Sequence, residues 1–252
     1  MSDFLIKLAQ GPKEVESAQR LRFEVFNLEL KKGLKAAHES GLDRDEYDPI
    51  CDHVLIIDKK SGATIGTYRL LLRSRLGADG RFYSENEFDL ANIRKADGEI
   101  LEMGRSCVHK DYRSNSILLL LWQRILSYVE DHRVRYIIGC PSLYTMDTAE
   151  ISSVYSLMKK EYLAPREFRV YPKEKASVPG LSDSVPLDGQ ERKVLLKLPS
   201  LIRSYIKIGA QVCGEPALDP EFGTADFFML LDVSRMADSY LRRFRVHNVP
   251  LR

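Results

Sequence analysis

The chain has 252 residues, of which 44% are hydrophobic and 29% charged, with a formal net charge of only +2. This composition is typical of a soluble globular protein of one large or two small domains, and the near-neutral charge indicates no particular partner. The four cysteines form no Cys-x-x-Cys pair, which favours reduced thiols in a cytoplasmic protein over a disulfide framework. The N-terminal residues do not resemble a signal peptide, and the longest apolar run, Ile117 to Trp122, is too short to span a bilayer. We find no nucleotide-binding fingerprint and no nucleic-acid motif, so nucleic acid is not an expected partner.

Helix and strand patterns alternate along the chain. In chain order they predict a helix over Pro12 to Leu30, strands over Val54 to Ile57 and Thr64 to Leu72, a short helix near Phe82 to Phe88, a strand over Ile100 to Val108, and a helix over Asn115 to His132, whose first half is apolar nearly all round and therefore expected to be buried. The second half adds a strand over Tyr136 to Cys140, a helix over Thr145 to Lys160 with Thr145 or Asp147 as its cap, a helix over Leu198 to Ile208 with Gly209 as its C-terminal stop, strands over Gln211 to Cys213 and Phe227 to Leu231, and a final helix from Ser234 to Arg245. This order predicts an α/β or α+β protein with a mixed sheet.

A glutamate, a glycine and an arginine share one short strand pattern in Glu102-Met-Gly104-Arg105. In a regular strand Glu102 and Arg105 would point to opposite faces, because their separation is odd. Glycine weakens a strand interior and often marks a bulge. One extra residue at Gly104 would bring the acid and the base to one face, beside backbone N–H groups released by the bulge. The pattern therefore predicts a site for chemistry on a carbonyl group.

Two Cys-x-His pairs offer alternative chemistry. Cys51 with His53 and Cys107 with His109 would supply four zinc ligands if the pairs met, but nothing in the sequence brings them together, so we predict no metal site. Cys107 beside His109 would also suit an acyl-accepting nucleophile. A buried, inert cysteine is the simpler interpretation.

The strand belongs to a set of blocks that together resemble a known family. The blocks are Leu101-Glu-Met-Gly-Arg-Ser-Cys-Val-His109 with Asp111-Tyr-Arg113, Leu21-Arg-Phe-Glu-Val-Phe26, Cys51-Asp-His53, Gly66-Thr-Tyr-Arg-Leu70, Gly209-Ala, Gly214-Glu-Pro-Ala-Leu-Asp219 and Asp226-Phe-Phe228. They resemble the branch of the Gcn5-related N-acyltransferases (GNAT) that contains the ornithine lipid-forming enzymes and the long-chain N-acyl amino acid synthases. The resemblance covers nearly the whole chain. It implies a mostly antiparallel central sheet with a bulged, splayed strand and helices on both faces. It also implies one domain over residues 1–252, with a core from about 10 to 160 and an extension from about 161 to 252 that completes the sheet and the acyl and carrier site.

The same blocks resemble, more distantly, the acyl-homoserine-lactone synthases. That resemblance implies a substrate-binding set on the first helix, the following acidic loop and an early strand, composed of Arg22, Phe26, Asp45, Asp48 and Arg69. It also implies that Glu102 and Arg105 act in the reaction. Both families move a fatty acyl group from a carrier protein to an amine.

The implied reaction is aminolysis of a thioester. Glu102 would orient and deprotonate the amine, and backbone N–H groups beside Gly104 would stabilise the oxyanion. Arg69 and Arg105 would bind the α-carboxylate of the acceptor, with Arg22 as a further option, and Asp45 and Asp48 would bind a second amine such as that of ornithine.

The donor would bind where relatives have a glycine-rich phosphate loop. The corresponding residues are Val108, Arg113, Ser114, Asn115 and Ser116. The two glycine positions hold Ser116 and Leu118, which weakens coenzyme A as a donor and favours the 4′-phosphopantetheine thioester of acyl carrier protein, with no bound cofactor. The expected partners are therefore acyl carrier protein and an amino acid.

The alternatives are an acyl-homoserine-lactone-type synthase and, in another class, a non-catalytic module that binds lipid or carrier protein. We also expect a cytoplasmic location, with peripheral membrane contact if the segment 234–245 forms a basic amphipathic helix at the lipid surface. The same segment would equally well close the domain core through its apolar face.

Overall fold

The computed structural model describes residues 3–236. The strands in this range are β1 (Phe4–Leu8), β2 (Asp52–Asp58), β3 (Thr64–Leu72), β4 (Phe88–Asp89), β5 (Glu99–Val108), β6 (Val134–Gly139), β7 (Ser142–Leu143), β8 (Tyr171–Pro172), β9 (Gln211–Val212), β10 (Ala217–Asp219), β11 (Thr224–Asp226) and β12 (Met229–Asp232). The α-helices are α1 (Pro12–Arg22), α2 (Ala37–Ser40), α3 (Ala91–Arg94), α4 (Asn115–Asp131), α5 (Thr148–Tyr162), α6 (Glu191–Lys197) and α7 (Ser200–Ile208). A π-helix, Phe23–Glu29, continues α1. The mixed α/β class with mostly antiparallel strand pairing is confirmed.

The described chain forms two compact units. The first contains residues 3–80 and 99–134, and the second contains residues 81–98 and 135–236. The organisation into one domain with a C-terminal extension stays a prediction. None of the helices described between residues 3 and 236 is long and apolar enough to cross a membrane.

The first unit is built on an antiparallel sheet in the order β1-β2-β3-β5. Its interior strands are almost fully buried, as in β3, where Ile65 to Leu72 all lie inside. The register between β3 and β5 shifts once: Thr67 lies opposite Cys107, whereas Arg69 lies opposite Gly104. Two steps along β3 thus match three along β5, which is the definition of a bulge in β5. The predicted bulge is confirmed, and the predicted splay of this strand stays a prediction.

Helices cover both faces of this sheet. Helix α1 begins at Pro12, which suits the first helical turn because it has no N–H to leave unpaired there. It buries Ala18, Leu21 and Arg22. Helix α4 lies on the opposite face, where the Tyr128 hydroxyl donates to Asp52 across 2.7 Å. The predicted helices on both faces are therefore confirmed for this unit.

The second unit contains three small antiparallel sheets or sheet portions. Strand β12 pairs with β6 and β9, strand β11 pairs with β10 and β7, and β4 pairs with β8. Phe88 and Phe228 meet in its core, with ring centroids 5.7 Å apart. Helix α5 begins after Asp147, whose side chain accepts from the backbone N–H of Glu150, as predicted for a capping residue. Helix α7 ends at Gly209 with a φ of 103°, again as predicted.

Several predicted elements need correction. The helix expected over Pro12 to Leu30 is α-helical only to Arg22 and then becomes the π-helix. The first half of α4 is not buried all round, since Leu118 keeps 40% of its surface exposed. The sequence patterns missed β1 and α6 altogether. The predicted final helix lies largely outside the described residues, and Ser234 itself lies in a short 3₁₀ turn capped by Asp232.

Candidate active site

The bulge in β5 places the Arg105 side chain on the same face of the sheet as Glu102 and Arg69. Paired residues share a sheet face, so the register places Glu102 opposite Leu71 and on the same face as Arg69. Arg105 stands inside the bulge with a φ of 50°, in the left-handed region that side chains seldom adopt. Its guanidinium reaches Asp45, the same carboxylate that Arg69 contacts. Glu102 and Arg105 are thus directed to one side of the sheet, as parity at a bulge requires.

Three arginines and three aspartates meet on this side. We call them the ion-pair cluster: Arg22, Arg69, Arg105, Asp43, Asp45 and Asp48. The arginines come from α1, β3 and β5, and the aspartates come from the loop that precedes β2. Nearly all of the cluster is buried, which is possible only because each charge has a partner of opposite sign.

Arg22 and Asp48 form the centre of the cluster. The two guanidinium nitrogens of Arg22 donate to the two carboxylate oxygens of Asp48 at 3.0 and 2.8 Å, and its Nε donates to Asp43 at 2.8 Å. Burial by itself would raise the pKa of Asp48, but the hydrogen bonds and charge of Arg22, with the charge of Arg69, hold it well below its usual value. In this arrangement Arg22 secures the acidic loop, and its direct contact with a substrate stays a prediction.

Asp45 bridges two arginines at the more accessible edge of the cluster. One carboxylate oxygen accepts from Arg69 at 2.6 Å and the other from Arg105 at 3.3 Å. Burial opposes its ionisation, yet Arg69 and Arg105 lower the pKa of Asp45. Its side chain keeps 16% exposure, compared with 4% for Asp48. The edge of the cluster near Asp45 is therefore where a charged ligand would meet these groups.

Glu102 lies 95% buried on the sheet face that also carries Arg69. Its charge acts on the Cys51 thiol, whose pKa is raised to about 12, mainly by burial. His53 lies opposite Arg69 in the sheet, and burial lowers its pKa, so its ring stays neutral. Cys51 and His53 are thus uncharged, and the role of Glu102 as the proton acceptor stays a prediction.

The predicted donor residues follow β5 directly. The Val108 carbonyl accepts from Nε of Arg113 at 3.0 Å, which folds the Arg113 side chain back onto the end of the strand. Ser114 is extended and occupies the N-cap position of α4, and its hydroxyl lies 2.8 Å from that of Ser116. Asn115 is the first residue of the helix. These residues bring backbone N–H groups and one guanidinium to the start of α4, an arrangement that suits a phosphate.

The cysteine alternatives do not fit this geometry. Cys107 packs with Leu21 and Val25, and Phe26 lies against the same group. Burial raises the pKa of the Cys107 thiol far above neutrality, whereas the nucleophile in such chemistry is the thiolate. His109 is instead paired with Glu24 at 3.0 Å.

One group of carboxylates outside the cluster was not anticipated from the sequence. In the second unit Glu87, Asp219 and Asp226 bring their oxygens within 4.8 Å of one another, and no other group of metal-ligand type is found among residues 3–236. Asp219 accepts from the backbone N–H groups of Glu221 and Phe222, and Asp226 accepts from the Thr224 hydroxyl. Turn formation and a local hydrogen bond account for these two carboxylates.

Asp43 is the cluster member that sequence reasoning missed. It is fully buried and contacts both Arg22 and Arg105. A signal was present, because Arg22 lies one turn after Ala18 on the apolar face of α1, and a buried arginine needs acidic partners. Its position in the acidic loop, two residues before Asp45, completes that signal.

Comparison with known proteins gives a consistent result. Residues 21–123 match a family model described as acetyltransferase (GNAT) domain. The chain is 32% identical to the L-ornithine N(alpha)-acyltransferase of Rhodobacter capsulatus, over 97% of this chain and 95% of that protein. It is 34% identical to the protein of the same name from Agrobacterium fabrum, over 93% of this chain and 83% of that protein.

Solved structures agree at the level of the fold. An N-acyl amino acid synthase from uncultured soil microbes superposes with a TM-score of 0.56 at 11% identity, covering 94% of this chain and 98% of that one. A coenzyme A-dependent acyl-homoserine lactone synthase superposes with a TM-score of 0.55 at 14% identity, covering 96% and 90%.

Fold and site together define an N-acyltransferase of the GNAT class. Within that class the chain belongs to the family of the curated L-ornithine N(alpha)-acyltransferases. The membership in this branch that the sequence blocks indicated is confirmed.

Proposed function

We propose that the protein transfers a long acyl chain from the 4′-phosphopantetheine thioester of acyl carrier protein to the α-amine of an amino acid, with ornithine as the favoured acceptor. The observation that carries the proposal is the bulge in β5, which directs Glu102 and Arg105 to the same side as Arg69 and Asp45. A site for amide formation needs a proton acceptor and a carboxylate-binding cation close together, and this local geometry supplies both.

Net charge supports a basic amino acid as acceptor. The three arginines and three aspartates of the ion-pair cluster cancel, and Glu102 adds one negative charge on the same face. Ornithine carries two ammonium groups and one carboxylate, and so has the opposite net charge. A basic amino acid therefore complements the charge of this face in sign. The names of the curated relatives point to the same acceptor.

The proposed reaction uses the residues as follows. Glu102 takes a proton from the α-ammonium group, and the amine nitrogen attacks the thioester carbon. The carbonyl oxygen becomes an oxyanion, which backbone N–H groups beside Gly104 stabilise. The carbon–sulfur bond then breaks, the thiolate leaves and takes up the second proton that the nitrogen loses, and an amide remains. A thiol with a pKa of about 8.5 leaves readily, so no strong acid is required.

The carrier protein is proposed as donor because of the start of α4. Ser116 and Leu118 stand where a glycine-rich loop would let backbone amides surround a pyrophosphate. The phosphopantetheine arm of a carrier protein presents a single phosphodiester, which needs fewer backbone N–H donors from this loop than a pyrophosphate does. Lys110 and Arg113 adjoin the same turn and would attract an acidic carrier.

The test is a reconstituted reaction of the full-length protein with acyl carrier protein charged with a long 3-hydroxyacyl chain. Ornithine, glutamine and S-adenosylmethionine are supplied separately, and released thiol and product mass are measured. The proposal predicts equimolar thiol and N-acylornithine. A lactone from S-adenosylmethionine would identify a signal synthase instead. Thiol release that never exceeds spontaneous hydrolysis, with every acceptor and with acyl-coenzyme A as well, would contradict acyl transfer.

A further inference from the structure

Arg113, the proposed phosphate ligand, is paired with a carboxylate. Each of its two terminal nitrogens donates to a different carboxylate oxygen of Glu29, and both distances are 2.6 Å. Both side chains are partly exposed, at 44% and 29%. The hydrogen bonds from Arg113 lower the pKa of Glu29, so the carboxylate is ionised at neutral pH. This fork-to-fork geometry is the one that arginine also offers to a phosphate.

Glu29 is the last residue of the π-helix, and the backbone fixes that end firmly. The Leu30 N–H donates to the Val25 carbonyl at 3.0 Å, and the Asn27 side chain donates to the Leu34 carbonyl at 2.9 Å. Gly33 closes the following turn with a φ of 107°, where a Cβ would lie 2.8 Å from the Asn27 side chain. π-Helical segments occur frequently at functional sites. Here the π-helix places the Glu29 carboxylate against Arg113, which among the described residues is the only arginine in the proposed donor site at the start of α4.

We propose that Glu29 is a specificity-determining residue for the donor: it occupies Arg113 until a phosphate replaces it, and its charge selects against donors with several phosphates. The inference rests on the proposed donor site. When a phosphate binds the guanidinium of Arg113, Glu29 stays close to that phosphate, because the end of the π-helix is fixed. Repulsion between the carboxylate and the ligand grows with the number of phosphate charges. A donor with one phosphate is penalised little, and coenzyme A, with three phosphate groups, is penalised more.

The test is direct binding, measured by titration calorimetry on the full-length protein with 4′-phosphopantetheine and with coenzyme A. Glu29→Gln should tighten both ligands and tighten coenzyme A more, by about 1.5- to fivefold at low salt, which is the range for an exposed ion pair. Added salt should reduce the difference, because the charges are exposed. Glu16→Gln is the matched control, since it removes the same charge from an exposed pair with Arg20 on the preceding helix. It should leave both affinities unchanged.

A second variant separates occupancy of Arg113 from a structural effect. In an Arg113→Ala background both ligands should bind more weakly, and Glu29→Gln should tighten each of them less than in the wild-type background, because no guanidinium remains for which Glu29 competes. Unchanged or weaker binding by Glu29→Gln in the otherwise wild-type protein would overturn the inference while leaving acyl transfer intact. The calorimetric experiment does not depend on turnover. Inactivity with every acceptor would therefore contradict the proposed function but would leave the binding result for Glu29 unchanged. Failure of wild-type and Glu29→Gln protein to bind either compound would overturn the donor site and the inference together.

Discussion

At the residue scale, the ion-pair cluster explains why an acidic loop with little secondary structure is well placed. Asp48 and Asp43 bind Arg22, which projects from α1 and has no exposed surface. Removing one partner from such a group leaves an unpaired buried charge, which destabilises more than the pair itself stabilises. In the proposed reaction, the side chains that stabilise the fold are therefore the same ones that recognise the substrate.

Asp48→Asn should lower the free energy of unfolding by about 3–5 kcal/mol at pH 7, the range for breaking a buried ion pair. The loss should shrink in acid. The pKa of Asp48 is depressed in the folded protein, so its contribution is present above the unfolded pKa of about 3.9 and is lost as the pH falls below it. Urea unfolding of both proteins between pH 7 and pH 2 measures the difference, because most of the loss falls between the unfolded pKa and the strongly lowered folded pKa.

Glu16→Gln serves as the control for that series, because its carboxylate is exposed and should change stability by no more than about 0.5 kcal/mol. A constant difference between wild type and Asp48→Asn down to pH 2 would show that the Asp48 charge does not stabilise the fold. Equal stability at pH 7 would remove the cluster from the account of the fold.

At the element scale, the bulge in β5 is the feature that makes the strand a site. A Cβ added at Gly104 would meet no atom within 4 Å, and the residue has no positive φ. The protein itself therefore does not require glycine there. The strain of the bulge lies instead at Arg105, with its φ of 50°. Open space beside a strand that carries Glu102 is what an approaching thioester would need.

Gly104→Ala should consequently fold with a melting temperature close to that of the wild type but lose activity. The new methyl group would occupy the space for the reacting carbonyl, and kcat/KM for the donor should fall by roughly 10²-fold, as small misplacements at a reacting centre do. Gly66→Ala on β3 is the control, because its Cβ would make an ordinary 3.5 Å contact with Ile56. Wild-type kcat/KM in Gly104→Ala, or a large fall in its melting temperature, would contradict this explanation of the glycine.

Local patterns predicted the elements that local interactions decide. The bulge followed from Gly104, the cap of α5 from Asp147 and the end of α7 from Gly209, because each depends on one residue and its neighbours. The π-helix was missed because its apolar residues also fit an α-helical period, and the change at Phe23 is a tertiary effect. The Glu29–Arg113 pair was missed because it joins residues 84 positions apart.

At the scale of the whole molecule, the predicted site residues all lie in the first unit. The same residues fall within or close to the range 21–123 that matches the GNAT family model. The relatives, however, align over almost the entire chain, including the blocks of the second unit around Asp219 and Asp226. The carboxylates of Asp219 and Asp226 are residues outside the cluster that sequence reasoning did not explain.

The central claim is that Glu102 accepts the amine proton during amide formation. The most direct measurement is kcat for Glu102→Gln in the reconstituted reaction at neutral pH, with folding checked by circular dichroism. We predict a loss of roughly 10²–10⁴-fold, as for removal of a general base. Glu99→Gln, at the start of the same strand, where the carboxylate accepts from the Ser74 N–H, should keep near-normal turnover. Near-wild-type kcat in a folded Glu102→Gln protein would contradict the account and leave Glu102 as a structural acid beside Arg69.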